Sequence, residues 1–301
     1  MQSVNKKILI VYYSQSGQLT EIVNRFIAGF AANSADFDTV NIRMQKAFPF
    51  PWNSATFFDA MPESVLVKPA PIVAPQFKYK QYDLIVIAYQ PWFLSPSIPA
   101  NSIFADPTFS ALLKNTPVVT LIGARNMWVE GQKKMKQLIA NAGAKLVGNI
   151  VLIDRHPNLI SAVTIQYWMF TGKKEGFWGV FPKPGVSDSD IQNTTEFGSI
   201  LETHFNNNTL DNLQTALLQK KAVEVNHLLM FVESRGAMIF KLWAGLILKK
   251  SNRSLWINIF KYYLIFALFL LSPIIIVLYS LILRPLMYKK INLLIQEARS
   301  V

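Results

Sequence analysis

The stretch Ser14-Gln15-Ser16-Gly17-Gln18-Leu19-Thr20 has the residue types and spacing to hold a phosphate. It follows a continuous apolar run, Lys7 to Tyr13. It precedes a helix pattern with Ile22, Val23, Phe26, Ile27 and Phe30 on one face. The first N–H groups of a helix have no intrahelical partner, and they sit at the positive end of the helix dipole. Ser14, Ser16 and Thr20 add hydroxyls, and Gly17 lets the backbone close around an anion. Such a site takes a dianionic phosphate with neither a metal nor a lysine. Gly172-Lys173 lacks the upstream glycine of a nucleotide-triphosphate loop, which argues against ATP or GTP.

Other chemistry is bounded by composition. The chain has no cysteine, which excludes disulfides, iron–sulfur ligation and thiolate metal sites. His156, His204 and His227 are too far apart to form a ligand pattern, so no metal is expected. Asp154-Arg155-His156 closes an apolar run. Histidine is the residue type suited to moving protons near neutral pH, so His156 is a candidate general base.

The elements that position these residues read as alternating strands and helices. Strands are expected at 7–13, near Phe37–Met44, at 82–89, at 117–123 and at 145–153. Helices are expected after residue 17, over 106–113, and over 128–141 with Gly143 as the stop. The segment 47–74, rich in Pro and aromatic residues, reads as irregular. Buried strands joined by helical crossovers imply an α/β fold: a doubly wound, five-stranded parallel sheet of order 2-1-3-4-5. Ligands of such sheets sit at the carboxyl ends of the strands, at the switch point. Three loops meet there: 14–20, Gln90-Pro91-Trp92-Phe93, and Gly123 to Trp128.

Tyr12-Tyr13-Ser14-Gln15-Ser16-Gly17 resembles the FMN phosphate loop of flavodoxin-like proteins, and the likeness extends over the strand pattern of residues 5–155. Flavodoxins place a threonine two residues after the glycine; here Leu19 takes that place and Thr20 follows. The resemblance implies FMN, with its phosphate at Ser14, Ser16, Gly17, Gln18, Leu19 and Thr20. A flat isoalloxazine ring needs apolar planes, for which Pro91, Trp92 and Phe93 are candidates, Trp92 for stacking. Arg125 and Asn126 are candidates for the ring's pyrimidine edge.

The rest of the chain is more apolar and more basic. Hydrophobic residues make up 51% of the 301, and the net charge is +12. Residues 1–200 carry 18 basic and 13 acidic side chains, and residues 201–301 carry 12 and 5. That balance points to a membrane surface and away from nucleic acid. Residues 156–187 hold Tyr167, Trp168, Phe170, Phe177, Trp178 and Phe181, and are expected to cover a pocket. Residues 188–254 read as a helical extension, and 255–301 as an anchor with a basic tail. Within the anchor, Tyr262 to Leu283 is free of charge and long enough for a bilayer core of about 30 Å. Pro273 leaves open whether it spans or dips in and returns. The short polar start, Met1 to Lys7, predicts no cleavable leader and an α/β domain facing the cytoplasm.

The whole arrangement, with the Gly-Ala-Arg-Asn-Met-Trp loop and the apolar tail, resembles the bacterial dialkylresorcinol-forming enzymes. The resemblance implies an FMN-dependent aromatase that oxidises a dialkylcyclohexanedione built by a partner ketosynthase. The substrate is then lipid-like, His156 or Tyr167 takes its proton, and residues 156–187 hold its alkyl chains. A membrane-associated quinone reductase or flavodoxin-type electron carrier, and a non-catalytic membrane-localised partner of a ketosynthase, remain as alternatives.

Overall fold

Ile8 to Val11 have no solvent exposure, so the strand that holds them needs cover on both faces. The computed structural model describes residues 6–286 and 288–301; the polar start discussed above lies largely outside them. Along the chain come β1 (Lys6–Tyr12), α1 (Gln18–Ile27), β2 (Ala35–Asn41), α2 (Ser54–Asp59), α3 (Met61–Val65) and β3 (Leu84–Tyr89). A small hairpin, β4 (Pro91–Trp92) and β5 (Ser95–Pro96), leads to α4 (Ile98–Ser102) and α5 (Pro107–Leu113). Then follow β6 (Pro117–Ala124), α6 (Val129–Asn141), β7 (Lys145–Ile153), α7 (Asn158–Thr171), α8 (Asp188–Asn206) and α9 (Leu213–Gln219). The C-terminal part consists of α10 (His227–Leu248), α11 (Arg253–Phe266), α12 (Ser272–Leu278), α13 (Arg284–Leu286) and α14 (Tyr288–Arg299).

The main sheet is parallel, in the order β2-β1-β3-β6-β7. This is the doubly wound arrangement of flavodoxin type, and the chain has a flavodoxin-like fold. Ile8 pairs with Phe37 on one side and Leu84 on the other, which puts the switch point between β1 and β3. On one face Leu19, Ile22, Val23 and Phe26 of α1 pack with Leu201 and Phe205 of α8 and Leu213 and Leu217 of α9. On the other, Phe109, Met135 and Ile139 pack with Trp52, Val223, Met230 and Ala298. The helical extension therefore covers the same sheet.

Two local expectations change, and one open alternative is resolved. Residues 47–74 are not wholly irregular. Asn53 Oδ1 accepts from Thr56 N at 2.9 Å and starts α2, and Pro62 sits in the first turn of α3. Half of the aromatic segment 156–187 is the helix α7, stopped by Gly172. The apolar segment does not fold back at Pro273. A continuous helix runs from Arg253 to Ile282, with wider π turns at Ala267–Leu271 and Tyr279–Leu283. Pro273 lies just past the first of these, where its missing N–H interrupts the ladder least.

α1 and α8 approach backbone to backbone. A Cβ on Gly198 would lie 2.1 Å from Phe26 O, and one on Gly29 would lie 2.0 Å from Thr195 O. Gly198→Ala is therefore expected to force the helices apart and to cost about 1–3 kcal/mol. Gly245→Ala in α10, where a Cβ meets nothing within 4 Å, should raise stability by about 0.5–1 kcal/mol through helix propensity. Thermal or urea unfolding of the two variants checks the contrast.

Candidate active site

The turn leaving β1 places backbone donors where a ligand can reach them. Gly17 stands at φ +90, and a side chain there would be strained although nothing lies within 4 Å of its Cβ position. The Ser14 hydroxyl oxygen accepts from Thr20 N at 3.3 Å, and Gln15 N donates to Gln90 Oε1 at 3.5 Å. The first intrahelical bond runs from Glu21 N to Gly17 O. Between these points the N–H groups of Ser16, Gly17, Gln18 and Leu19 meet no protein acceptor among the described residues. Gly17, at the N-cap of α1, offers no side chain to cap it. The Leu19 side chain is core, with no exposure; its contribution is its N–H. Thr20 is fixed through its own N–H, and its side chain is half-buried.

Beside this turn lies a cleft of about 220 Å³. The β1 loop supplies Gln15, Ser16 and Gln18. The ends of β3 and β6 supply Gln90, Pro91, Trp92 and Phe93, and Gly123, Ala124 and Arg125. α7 adds Ile165, Gln166, Trp168 and Met169, with Phe57 and Gly185 completing the wall. Trp92 is set edge-on against Tyr13, Phe48 and Trp52, at centroid distances of 6.1, 5.1 and 5.3 Å. Phe93 and Leu94 form the two-residue turn of the β4–β5 hairpin at φ 47 and 59. Such a turn normally takes Asn or Gly, and each residue pays roughly 1–2 kcal/mol for this conformation. Hydrogen bonds hold it: Ser64 Oγ donates to Trp92 O at 2.9 Å and Lys134 Nζ donates to Ser95 Oγ at 2.7 Å. Burial pushes the Lys134 ammonium down to about 8.

Arg125 reaches Asn158 O and Oδ1 at 3.0 and 2.9 Å through Nη1. Burial lowers its guanidinium to about 10, against the opposing charges of Asp154 and Glu233, and it stays protonated at neutral pH. Asn126 is buried, and neither atom of its amide has a partner among the described residues. Glu233 enters from α10 and caps α6, its Oε1 accepting from Glu130 N at 2.8 Å. Burial pushes this carboxyl up to about 8.

Asp154 organises the far wall. One of its oxygens accepts from His156 N at 3.0 Å and pairs with His156 Nδ1 at 2.6 Å. The other accepts from Ser161 Oγ at 2.7 Å and from Gly185 N at 3.3 Å. Gly185 (φ +85) belongs to a strap, Pro184 to Ser187, laid over the β1 loop. There Gln18 Nε2 donates to Val186 O at 3.0 Å and its Oε1 accepts from Val186 N at 3.2 Å. A Cβ at Gly185 would meet Trp168 at 2.8 Å and Gln18 at 2.9 Å.

The structure thus brings Ser16, Gln18, Pro91, Trp92, Phe93 and Arg125 to one cleft, with the Ser14–Thr20 turn at its edge. His156 does not line this cleft; it is joined to the lining residues Arg125 and Gly185 only through Asp154. Tyr167 does not line the cleft either: its ring stacks on Phe177 at 4.1 Å. The residues of α7 on the cavity side are Ile165, Gln166, Trp168 and Met169. Trp168 belongs to the segment expected to cover a pocket, and Gln15 and Gln90 to loops expected at the site; sequence reading did not single out Ile165, Gln166, Met169, Phe57 and Gly185. Only the helical period of 158–171 would have singled out the α7 set.

No family model and no curated protein sequence matches the chain. Among solved structures it is similar to a flavoprotein in complex with FMN from Lactobacillus acidophilus NCFM, at 17% identity and TM-score 0.41, over 48% of this chain and 93% of that one. It is similar to a flavodoxin from the domain Archaea, at 13% identity and TM-score 0.37, over 66% and 99% of the two chains. It is also similar to a flavone reductase, at 12% identity and TM-score 0.37, over 66% and 63%. These likenesses concern the fold, which the strand order already establishes.

The Glu233 carboxyl gives the site a pH dependence. Its folded-state pKa, about 8, lies above its ordinary value of 4.5. The stabilisation tied to its proton is complete below about 4.5 and is lost as pH rises through about 8. Urea midpoints of the wild type should fall between about pH 5 and pH 9, and Glu233→Gln should flatten that fall.

Proposed function

We propose that this chain binds FMN across the carboxyl edge of β1, β3 and β6 and acts as an oxidoreductase on an apolar substrate. The observation that carries the reading is the run of N–H groups from Ser16 to Leu19 that meet no acceptor among the described residues, beside an aromatic cleft. Free N–H donors at a helix start suit a phosphate dianion. The cleft's mixture of Trp92, Phe93 and Trp168 with Arg125, Gln15 and Gln90 suits a flat ring with one polar edge. The unpaired amide of Asn126, next to Arg125, fits the same need for a polar partner. FMN, when bound, supplies a two-electron acceptor.

An aromatic path supports an apolar substrate. Phe57 and Phe93 line the cleft with centroids 5.0 Å apart; Phe240 lies 6.5 Å beyond Phe93, and Phe260 of the apolar helix 5.5 Å beyond Phe240. Within this reading the substrate is a dialkylcyclohexanedione, as the sequence resemblance implies, and the product a dialkylresorcinol. That oxidation removes two hydrogens, one as hydride and one as a proton. The chain's own part is the proton. Asp154 holds His156 Nδ1, which leaves Nε2 as the atom that takes the proton. Asp154 is then the positioning residue. Membrane association through the apolar helix places the enzyme where alkylated substrates concentrate, at about 0.8 kcal/mol per buried CH₂.

Protein purified in mild detergent should be yellow and release FMN on denaturation. Ser16→Asp, which puts a carboxylate beside the phosphate, should weaken FMN at least tenfold, about 1.4 kcal/mol. Riboflavin, which lacks the phosphate, should be far less affected. A colourless wild type that takes up no FMN would overturn the cofactor assignment. For the proton, His156→Asn is expected to lower the aromatisation rate by about 10²–10⁴, whereas Tyr167→Phe leaves it unchanged. Single-turnover flavin reduction by the dione reads both.

A further inference from the structure

The helix from Arg253 to Ile282 is long and apolar enough to cross a bilayer, yet both of its ends are fastened to the same α/β unit. At its start, Arg253 donates to Asp59 Oδ1 at 2.7 Å and to both Glu63 oxygens at 2.8 and 2.7 Å. Ile257 and Phe260 are buried with Phe58, Met61 and Val65 of α2 and α3. Near its end, Tyr279 is buried and stacks on Phe231, near the start of α10, at 4.2 Å. Past that point α14 returns to the sheet. Ile291 and Ala298 are buried, Gln214 Nε2 donates to Arg299 O at 2.8 Å, and Lys136 Nζ donates to Ser300 O at 2.8 Å.

Thirty residues of helix extend about 45 Å. A helix that crosses a core of about 30 Å puts its ends in different aqueous phases. Here the chain before and after it meets one sheet. Its inner face lies along α10, which is itself wedged against α3 and α6 and carries Glu233, Arg235 and Lys241. A perpendicular crossing would pull α10 and the α/β unit into hydrocarbon. The opposite face is apolar and open: Ile265, Phe266, Phe269, Leu270, Ile274 and Leu281 are all exposed, and Leu242 of α10 extends the patch. Single patches of this extent mark an interaction surface.

Charge selects the occupant. Residues 225–301 carry ten Lys and Arg against Glu233 and Glu297, and Glu233 is buried. Lys241, Lys249, Lys250, Arg284, Lys289 and Lys290 are exposed around the apolar face. An apolar strip edged by cations matches the boundary between acyl chains and anionic headgroups. We infer that this protein is monotopic: the Arg253–Ile282 helix lies in the plane of one leaflet of an anionic bilayer, with the α/β unit and the C-terminus on the same side. The inference deepens the membrane reading above and does not depend on flavin.

The absence of native cysteine makes single-cysteine labelling clean. Ser251→Cys, Asn292→Cys and, as the reference on α8, Asn193→Cys are exposed positions. In sealed inner-membrane vesicles carrying the full chain, an impermeant maleimide should label all three from one face. Labelling of Ser251→Cys and Asn292→Cys from opposite faces would overturn the inference while leaving membrane association intact. Purified protein should also sediment with vesicles containing anionic lipid, and Leu242→Glu with Leu270→Glu should reduce that at least tenfold with FMN absorbance unchanged. A wild type that ignores such vesicles and forms a discrete dimer without detergent would overturn the membrane reading as well.

Discussion

Four peptide N–H groups, Ser16 to Leu19, follow the first strand with no acceptor among the described residues. Unpaired donors of this kind cost free energy unless solvent or a ligand takes them. Their position is fixed from behind. β1 is buried on both faces, Leu19 is locked into the core beside Gly123, and α1 is pressed against α8 by two glycine contacts. The left-handed Gly17 lets the chain change direction there, and the Ser14 hydroxyl occupies the one further donor, Thr20 N.

The cleft is built around that turn by contacts far apart in the chain. Gln18 clasps Val186 at two points, and Asp154 ties Gly185 to His156 and Ser161. One carboxylate thus joins His156 to the strap. On the opposite side the hairpin turn at Phe93-Leu94 holds two residues in a conformation they resist. Strain of that kind is retained where surrounding bonds enforce it, here those of Ser64 and Lys134.

The C-terminal helices are continuous with this core. α10 lies between the sheet's helical layer and the apolar helix, and Phe240 links Phe93 in the cleft wall to Phe260 of that helix. Glu233 marks the same junction: it leaves α10, caps α6, and lies close enough to Arg125 to influence its charge. The burial that raises this carboxyl and the burial that lowers Arg125 are two effects of one dry interior.

The sequence by itself determined what depends on neighbours along the chain. Apolar runs marked β1, β3, β6 and β7, and β2 showed only as Val40 and Ile42 in a polar stretch. The spacing of Ile22, Val23 and Phe26 specified α1, and the turn between β1 and α1 had the residue types of a phosphate site. The loops bearing Trp92 and Arg125 were legible too, because a doubly wound sheet collects strand ends at one edge. What only the tertiary structure decided depends on rotation and return. A single step along a helix turns the side chain by about 100°, and this sends Trp168 into the cleft and Tyr167 against Phe177. A charge-free run of 22 residues is equally long whether it crosses a bilayer or lies along it. Only the salt bridge of Arg253 at one end and the docking of α14 at the other show both ends on one body, because those contacts join residues about 190 and 160 positions apart.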